Sequence, residues 1–506
     1  MAEKSELIQN KVIKDIVNQH LDIWALGYAS SLLGWDMETY MPKEAINERS
    51  IVFGRLSVLQ QRLLLSDKMR ELVKKGEKEQ NLNDYEAGIV RTLKRRIEKF
   101  EKLPPEFVEE LEKVRAKSQV VWREARQKSD FNLFKPYLQK LFDLAKKATE
   151  YWGYEEHPYD ALLDFFEEGL LTRDVEVMFS EIRPRLTDLL QKILNSPEYM
   201  ESHPLEEAEY ENEKMRELNL EILKLFQFNF NRGRYDISAH PFTTGIGITD
   251  VRLTTRYGGK NFKESLLATI HEFGHATYDM QIDERLMATP IAEGVSLGVH
   301  ESQSRFWENM IGRNKTFVEV NMELFRKYMP FLKDYTVDDV YKYFNLVKPE
   351  LIRVEANEVT YNQHILIRFE IEKGVIEGKM QVDELPQIWN EKMQKYLKIT
   401  PPNDALGVLQ DIHWSMGSIG YFPTYSIGTI LAVQFARKLE KDLGSLDNLI
   451  RAKKYKEIKD WLREKVHKWG STYTPKDLVK RALGESMNPQ PFLEHMEKKY
   501  KELYNL

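Results

Sequence analysis

The chain has 506 residues, 42% of them hydrophobic with 24 Phe, 24 Tyr and 9 Trp, enough for a large core and more than one ordinary core usually serves. Charged residues make up 30%, yet 74 Lys+Arg against 80 Asp+Glu leave a net charge of −6, without the basic bias of a nucleic-acid-binding or membrane-surface protein. Cysteine is absent, so disulfides are excluded and any metal must be held by His, Asp or Glu.

The first segment, MAEKSELIQNK, is charged and lacks the apolar region of a signal peptide. No stretch approaches the roughly 20 apolar residues of a membrane span, so a soluble, cytoplasmic protein is expected. From Lys4 to about Phe230 the pattern is helical almost throughout. Ile89, Leu93 and Ile97 form one apolar stripe, and the nearby run Lys94–Arg96 reads as a solvated helix face. Pro104 and Pro105 end that helix, and the next begins with acids in its first turn, where the helix dipole favours them. No repeat or Gly/Ser-rich linker marks a boundary. A single domain over residues 1–506 is therefore expected, with room for two helical lobes.

The texture changes after Arg232. In residues 245–257 glycines flank a strict alternation, Val251, Leu253 and Thr255 against Arg252, Thr254 and Arg256, which predicts a half-buried strand in a mainly α protein. Asn261 and Glu264 make an N-cap pairing for the helix that follows. Helical pattern then continues to the C-terminus, broken by a flexible Gly/Pro-rich segment at Gly417–Gly428.

That helix contains HEFGH. Four-residue spacing puts His271 and His275 on one face, one turn apart, so both imidazoles can reach one ion. Glu272 points about 100° away, beside the ion rather than onto it, as a base for a water would. A catalytic site needs a third protein ligand. Glu301 lies 26 residues after His275, a gap that lets a second helix return antiparallel through a loop containing Pro290 and Gly294. His300 is the rival ligand, and Glu308, two turns along the same face, either supports the site or is merely solvated. A di-iron carboxylate bundle would need a second ExxH. The other one, Glu464…His467, sits among Lys and Arg that suggest a solvated face.

With HEFGH followed by HESQSRFWEN, the chain resembles the carboxypeptidase Taq family of metallocarboxypeptidases. The likeness extends through LGWDMETYMP (Leu33–Pro42), HPF at His240–Phe242, a DxRxT pattern at Asp250, Arg252 and Thr254, and GVLQDIHW at Gly407–Trp414, followed by GYFPTYSIG. One motif departs: the family's IRxxAD reads IRVEAN, with Asn357 where aspartate is usual. If that aspartate orients Arg353, asparagine would hold the arginine less firmly.

The resemblance implies a large helical zincin-type fold with a long deep groove, akin to neurolysin and angiotensin-converting enzyme. It implies a metal-dependent carboxypeptidase, usually a homodimer, holding one zinc or cobalt ion per chain. Its substrates would be peptides with free C-termini, taken with broad preference and poorly next to proline.

In this reading His271, His275 and Glu301 hold the metal and Glu272 is the general base. Arg353 is the first choice for the substrate's α-carboxylate, because a guanidinium grips a carboxylate through two N–H groups; a plain packing ion pair is its alternative. Tyr421 and Tyr425 are candidate donors to the oxyanion or the substrate C-terminus, with His240 and His413 as further donors. Arg252, on the strand, either meets substrate or forms an internal brace with Asp250. Two other functions share these residues: an oligopeptidase cutting internally in short peptides, and a non-catalytic helical peptide-binding scaffold.

Overall fold

Helix ends follow the punctuation in the chain. In the computed structural model, which describes residues 7–506, Asn10 caps the first helix, Lys11–Thr39, its side chain accepting from the backbone N–H groups of Val12 and Ile13 at 2.8 and 3.3 Å. The helical start expected at Lys4 lies outside the described residues. Helix Asp84–Glu101 stops before Pro104, and Pro105–Lys128 starts with proline in its first turn, where its missing N–H costs nothing.

By packing, the chain forms two compact units. The first comprises Met1–Glu101, Pro204–Phe344 and Phe435–Ser486; the second comprises Lys102–His203, Asn345–Gln434 and Met487–Leu506. In the first, the stripe Ile89, Leu93 and Ile97 is buried with Ile13 and Ile16 of helix Lys11–Thr39 and with Ile282, Leu286 and Ile291. In the second, helix Glu358–Ile376 is buried along nearly its whole length and packs on helices Thr172–Leu194 and Leu385–Leu397. Among the described residues no helix is long and apolar enough to cross a membrane.

The strand expected at 245–257 is part of a three-stranded sheet in the first unit: β1 (Gly233–Ile237), β2 (Thr243–Gly247) and β3 (Asp250–Thr255). Their order is β1-β3-β2, with β1 parallel and β2 antiparallel to β3, so the recognised alternation belongs to the central strand and β2 is an edge. Val251, Leu253 and Thr255 are fully buried as the alternation requires. Thr254 on the opposite face is buried too, its hydroxyl 2.6 Å from that of Ser238.

Two local expectations are corrected. Asn261 sits in left-handed backbone and makes no side-chain cap; its amide donates to Glu264 and its carbonyl oxygen accepts from the Tyr343 hydroxyl, both at 2.5 Å. The segment Gly417–Gly428 is not loop throughout: helix Pro423–Leu443 begins inside it, so Tyr425 stands in a first helical turn.

Candidate metal centre and active site

HEFGH lies within helix Phe262–Met280, which packs on helix Leu297–Arg305 and the π-helical turn Phe306–Gly312. The pairing is antiparallel: Gly312 lies beside Ile270, His271 meets Glu308, Gly274 meets Gln303, and His275 meets His300. Gly274 explains how close the helices come. A Cβ there would lie 2.5 Å from both the carbonyl oxygen of Gln303 and the Cα of Ser304, so only glycine lets the backbones meet.

This approach delivers Glu301 to the histidines. One donor atom each from His271, His275 and Glu301 falls within a 4.8 Å cluster. Glu301 Oε2 is 3.6 Å from His271 Nε2 and 3.4 Å from His275 Nε2. A tetrahedral ion with bonds of about 2.0–2.2 Å separates its ligands by roughly 3.3–3.6 Å, so the donor set fits zinc with one position left for water.

The surroundings fix these donors. Glu301 Oε1 accepts from Arg305 Nε at 2.7 Å, turning Oε2 towards the histidines. Burial would raise its pKa, but the charges of Arg305, His271 and His275 outweigh burial and hold it well below the carboxylate range. Glu308 is 7% exposed rather than solvated. Its Oε2 accepts from His271 Nδ1 at 2.9 Å, and its Oε1 from Arg313 Nη2 at 2.9 Å. Burial again opposes the charged form, and Arg305 and Arg313 overcome it. With its Nδ1–H donated in a hydrogen bond to Glu308, the neutral His271 ring would present a bare Nε2 to an ion. His300, the rival ligand, is not in the donor cluster: its Nδ1 lies 2.6 Å from His275 Nδ1 and its Nε2 lies 3.0 Å from Asp279 Oδ1.

Glu272 is also buried and sits on the neighbouring face. The hydroxyl of Thr243, in edge strand β2, donates to Glu272 Oε2 at 2.7 Å and to its backbone oxygen at 3.0 Å. The strand thus sets the rotamer of the carboxylate beside the metal ligands. Thr243 follows the HPF motif directly, which was the available signal; nothing in the spacing says where its hydroxyl points.

The second unit gathers another group. Arg353 donates through Nε and Nη2 to Asp411 Oδ1 at 3.0 and 2.8 Å. Arg368, fully buried, donates through Nε to Asp411 Oδ2 at 2.6 Å. Two guanidiniums thus share one carboxylate. Burial disfavours the ionised Asp411, yet the two arginines hold its pKa far below normal. Glu372, which burial pushes up to about 7, also feels the charge of Arg368, and Arg353 retains 6% side-chain exposure. The rings of Phe422 and Tyr425 lie 5.7 and 4.9 Å from its guanidinium carbon.

Asp411, and not residue 357, orients Arg353. Asn357 instead caps helix Glu358–Ile376, accepting from Val359 N and Thr360 N and donating to the Lys348 carbonyl at 2.6 Å. Asparagine and aspartate both cap helices well, so the departure from IRxxAD leaves the arginine's grip intact.

His413 and Tyr421 have ring centroids 5.1 Å apart, and His413 Nε2 is 3.3 Å from the Tyr425 hydroxyl. Burial lowers the His413 pKa to about 4, with Asp411 opposing and Arg353 and Arg368 reinforcing, so its imidazole is neutral at pH 7. Buried Glu372 accepts from Tyr159, Trp414 Nε1 and the Gly420 N–H at 2.6, 2.7 and 2.8 Å, pinning the turn that presents Tyr421.

The remaining candidates fall outside these groups. His240 is exposed in the turn between β1 and β2. Arg252 is paired with Asp250 through two bonds of 2.8 and 2.9 Å and covers Trp35 at 4.5 Å, which is the internal brace. His467 is not on a solvated face: it is fully buried, with ring nitrogens 2.7 and 2.8 Å from the side-chain oxygens of Gln281 and Gln303. A 3₁₀ turn after Lys465 rolls it inward, away from exposed Glu464.

Similarity to known proteins covers nearly the whole chain. The family model described as carboxypeptidase Taq (M32) metallopeptidase matches residues 16–500. Thermostable carboxypeptidase 1 of Pyrococcus furiosus is 51% identical over 496 residues, covering 98% of this chain and 99% of that one. Carboxypeptidase 1 of Bacillus subtilis is 40% identical over 480 residues, covering 94% and 96%. Among solved structures, the Pyrococcus furiosus carboxypeptidase superposes with a TM-score of 0.96 at 51% identity, covering 98% and 100% of the two chains. The M32 carboxypeptidase of Deinococcus radiodurans gives 0.95 at 32% identity with the same coverage. The chain belongs to the carboxypeptidase Taq (M32) metallopeptidase family, and its activity is that of a metal-dependent carboxypeptidase.

Proposed function

We propose that His271, His275 and Glu301 hold one zinc ion per chain, with cobalt as a working substitute, and that Glu272 is the general base and acid for release of single residues from peptide C-termini. The observation that carries this reading is the convergence of three donor atoms within 4.8 Å beside a buried carboxylate that is not one of them. When bound, such an ion polarises the scissile carbonyl and brings the pKa of a water down to about 7. Glu272, its Oε2 tied to the Thr243 hydroxyl, receives the water's proton on Oε1 and returns it to the leaving amine. Strand β2, at the edge of the sheet, is the candidate to pair with extended substrate backbone. Tyr421, beside His413, is a candidate hydroxyl donor to substrate, and His240, exposed in the β1–β2 turn, a candidate second donor. Tyr425 and His413 line the arginine group.

Arg353 takes the substrate α-carboxylate, drawn by a pair of guanidiniums that share the single carboxylate of Asp411. A charged hydrogen-bonded pair contributes about 1.5–3 kcal/mol, so Arg353→Ala should lower kcat/KM roughly 10- to 150-fold on peptides with a free C-terminus. Amidated analogues, already poor substrates, should be unaffected. An equal rise in KM for free and amidated peptides would remove Arg353 from the role.

The reaction class is tested with one defined peptide, free and C-terminally amidated, followed by mass spectrometry. The expected result is a ladder of single-residue losses from the free form only, abolished by chelator and restored by Zn²⁺ or Co²⁺. Internal cleavage of the amidated form would make the chain an oligopeptidase instead.

A further inference from the structure

We propose that His300 and Asp279 form a positioning relay that fixes the tautomer of His275 and so sets metal affinity. The inference rests on the assignment of His275 as a ligand. Asp279 Oδ1 lies 3.0 Å from His300 Nε2, and a carboxylate can only accept, so the His300 proton sits on Nε2. In the neutral ring His300 Nδ1 then carries a lone pair, 2.6 Å from His275 Nδ1, and accepts the proton of that nitrogen. With its proton on Nδ1, His275 keeps a bare Nε2 pointing towards Glu301 Oε2 at 3.4 Å. Without Asp279, the other tautomer of His300 would donate to His275 Nδ1. The His275 proton would move to Nε2, where it blocks the ion. One carboxylate, two bonds away, therefore decides whether a ligand nitrogen is available.

The wall around the relay is shaped for it. A Cβ on Gly294 would lie 2.6 Å from His300 Cδ2, and a Cβ on Gly245 would lie 2.7 Å from Asp279 Oδ2. Tyr278 packs beside the His300 ring, with centroids 5.0 Å apart, and its Cε1 lies 3.2 Å from the same Gly294 Cβ position. Glycine at both positions and the neighbouring Tyr278 ring leave His300 little room to turn. His271 reaches the same end differently, by donating its Nδ1–H hydrogen bond straight to Glu308. The two ligands are thus oriented by separate acids.

The test is the affinity of the full-length apoprotein for Zn²⁺ and Co²⁺, measured by competition with a chromophoric chelator, with thermal melting of each apoprotein alongside. His300→Phe keeps the ring and removes both nitrogens; it should weaken binding about 10- to 100-fold at unchanged apo melting temperature. His300→Asn places an acceptor where Nδ1 stood and should stay within about threefold of wild type. Gly294→Ala, which touches no ligand, should weaken binding by displacing His300. Wild-type affinity in His300→Phe, or Asn binding as poorly as Phe, would overturn the relay. His275→Ala separates the two inferences: if it too binds normally the ligand assignment fails, whereas if it alone loses metal only the relay fails.

Discussion

Glu272→Gln is expected to bind its ion as wild type does and to lose about 10²- to 10⁴-fold in kcat, with metal content and kcat measured on the same preparation. The substitution is close to isosteric, and the amide oxygen can still accept from Thr243, whose hydroxyl now lies 2.7 Å from Oε2. Only the ability to take a proton changes. Because Glu272 is outside the donor cluster, zinc affinity should stay within a small factor. Near-normal turnover in a metal-loaded Glu272→Gln protein would remove the residue from the chemistry.

Gly274→Ala should be nearly as damaging by another route. The new methyl would meet the backbone of Gln303 and Ser304 at 2.5 Å, and backbone cannot rotate aside as a side chain can. Helix Phe262–Met280 must therefore shift against Leu297–Arg305, the pair that holds Glu301 at 3.4–3.6 Å from the two histidines. Overpacking of this kind costs about 1–3 kcal/mol of stability. A ligand displaced by about 1 Å can cost on the order of 10²-fold in rate. The expected outcome is a lower melting temperature, weaker zinc binding and a fall in kcat/KM of that order. Unchanged zinc affinity would show that the close helix crossing is not what assembles the site.

What was legible in the sequence is what repeats locally. The spacing His271…His275 puts two imidazoles on one helical face whatever the tertiary structure, and alternation made β3 visible before any neighbour was known. Glu301 is legible because the interval after His275 lets a second helix return antiparallel and bring a carboxylate back to the two histidines. Contacts set by tertiary packing were hidden. Asp411 is 58 residues from Arg353, so the residue four positions on, Asn357, looked like the partner. Yet Asn357 stands just before an unbroken helical run, which is the signature of an N-cap. His300 read as a competitor to Glu301 because adjacency gives identity but not ring direction, and Asp279 supplies that direction from another helix. His467 is hidden for the same reason: nearby Glu464 is exposed, while the 3₁₀ turn that buries the histidine leaves no periodic trace.

The central claim, one ion held by His271, His275 and Glu301, is tested most directly by an anomalous difference map recorded at the zinc edge from crystals of the zinc-loaded protein. The account predicts a single peak per chain, about 2.0–2.2 Å from His271 Nε2, His275 Nε2 and Glu301 Oε2, with no bond to His300 or Glu272. A peak elsewhere, or one in which His300 or Glu272 replaces Glu301 as the third ligand, would contradict it.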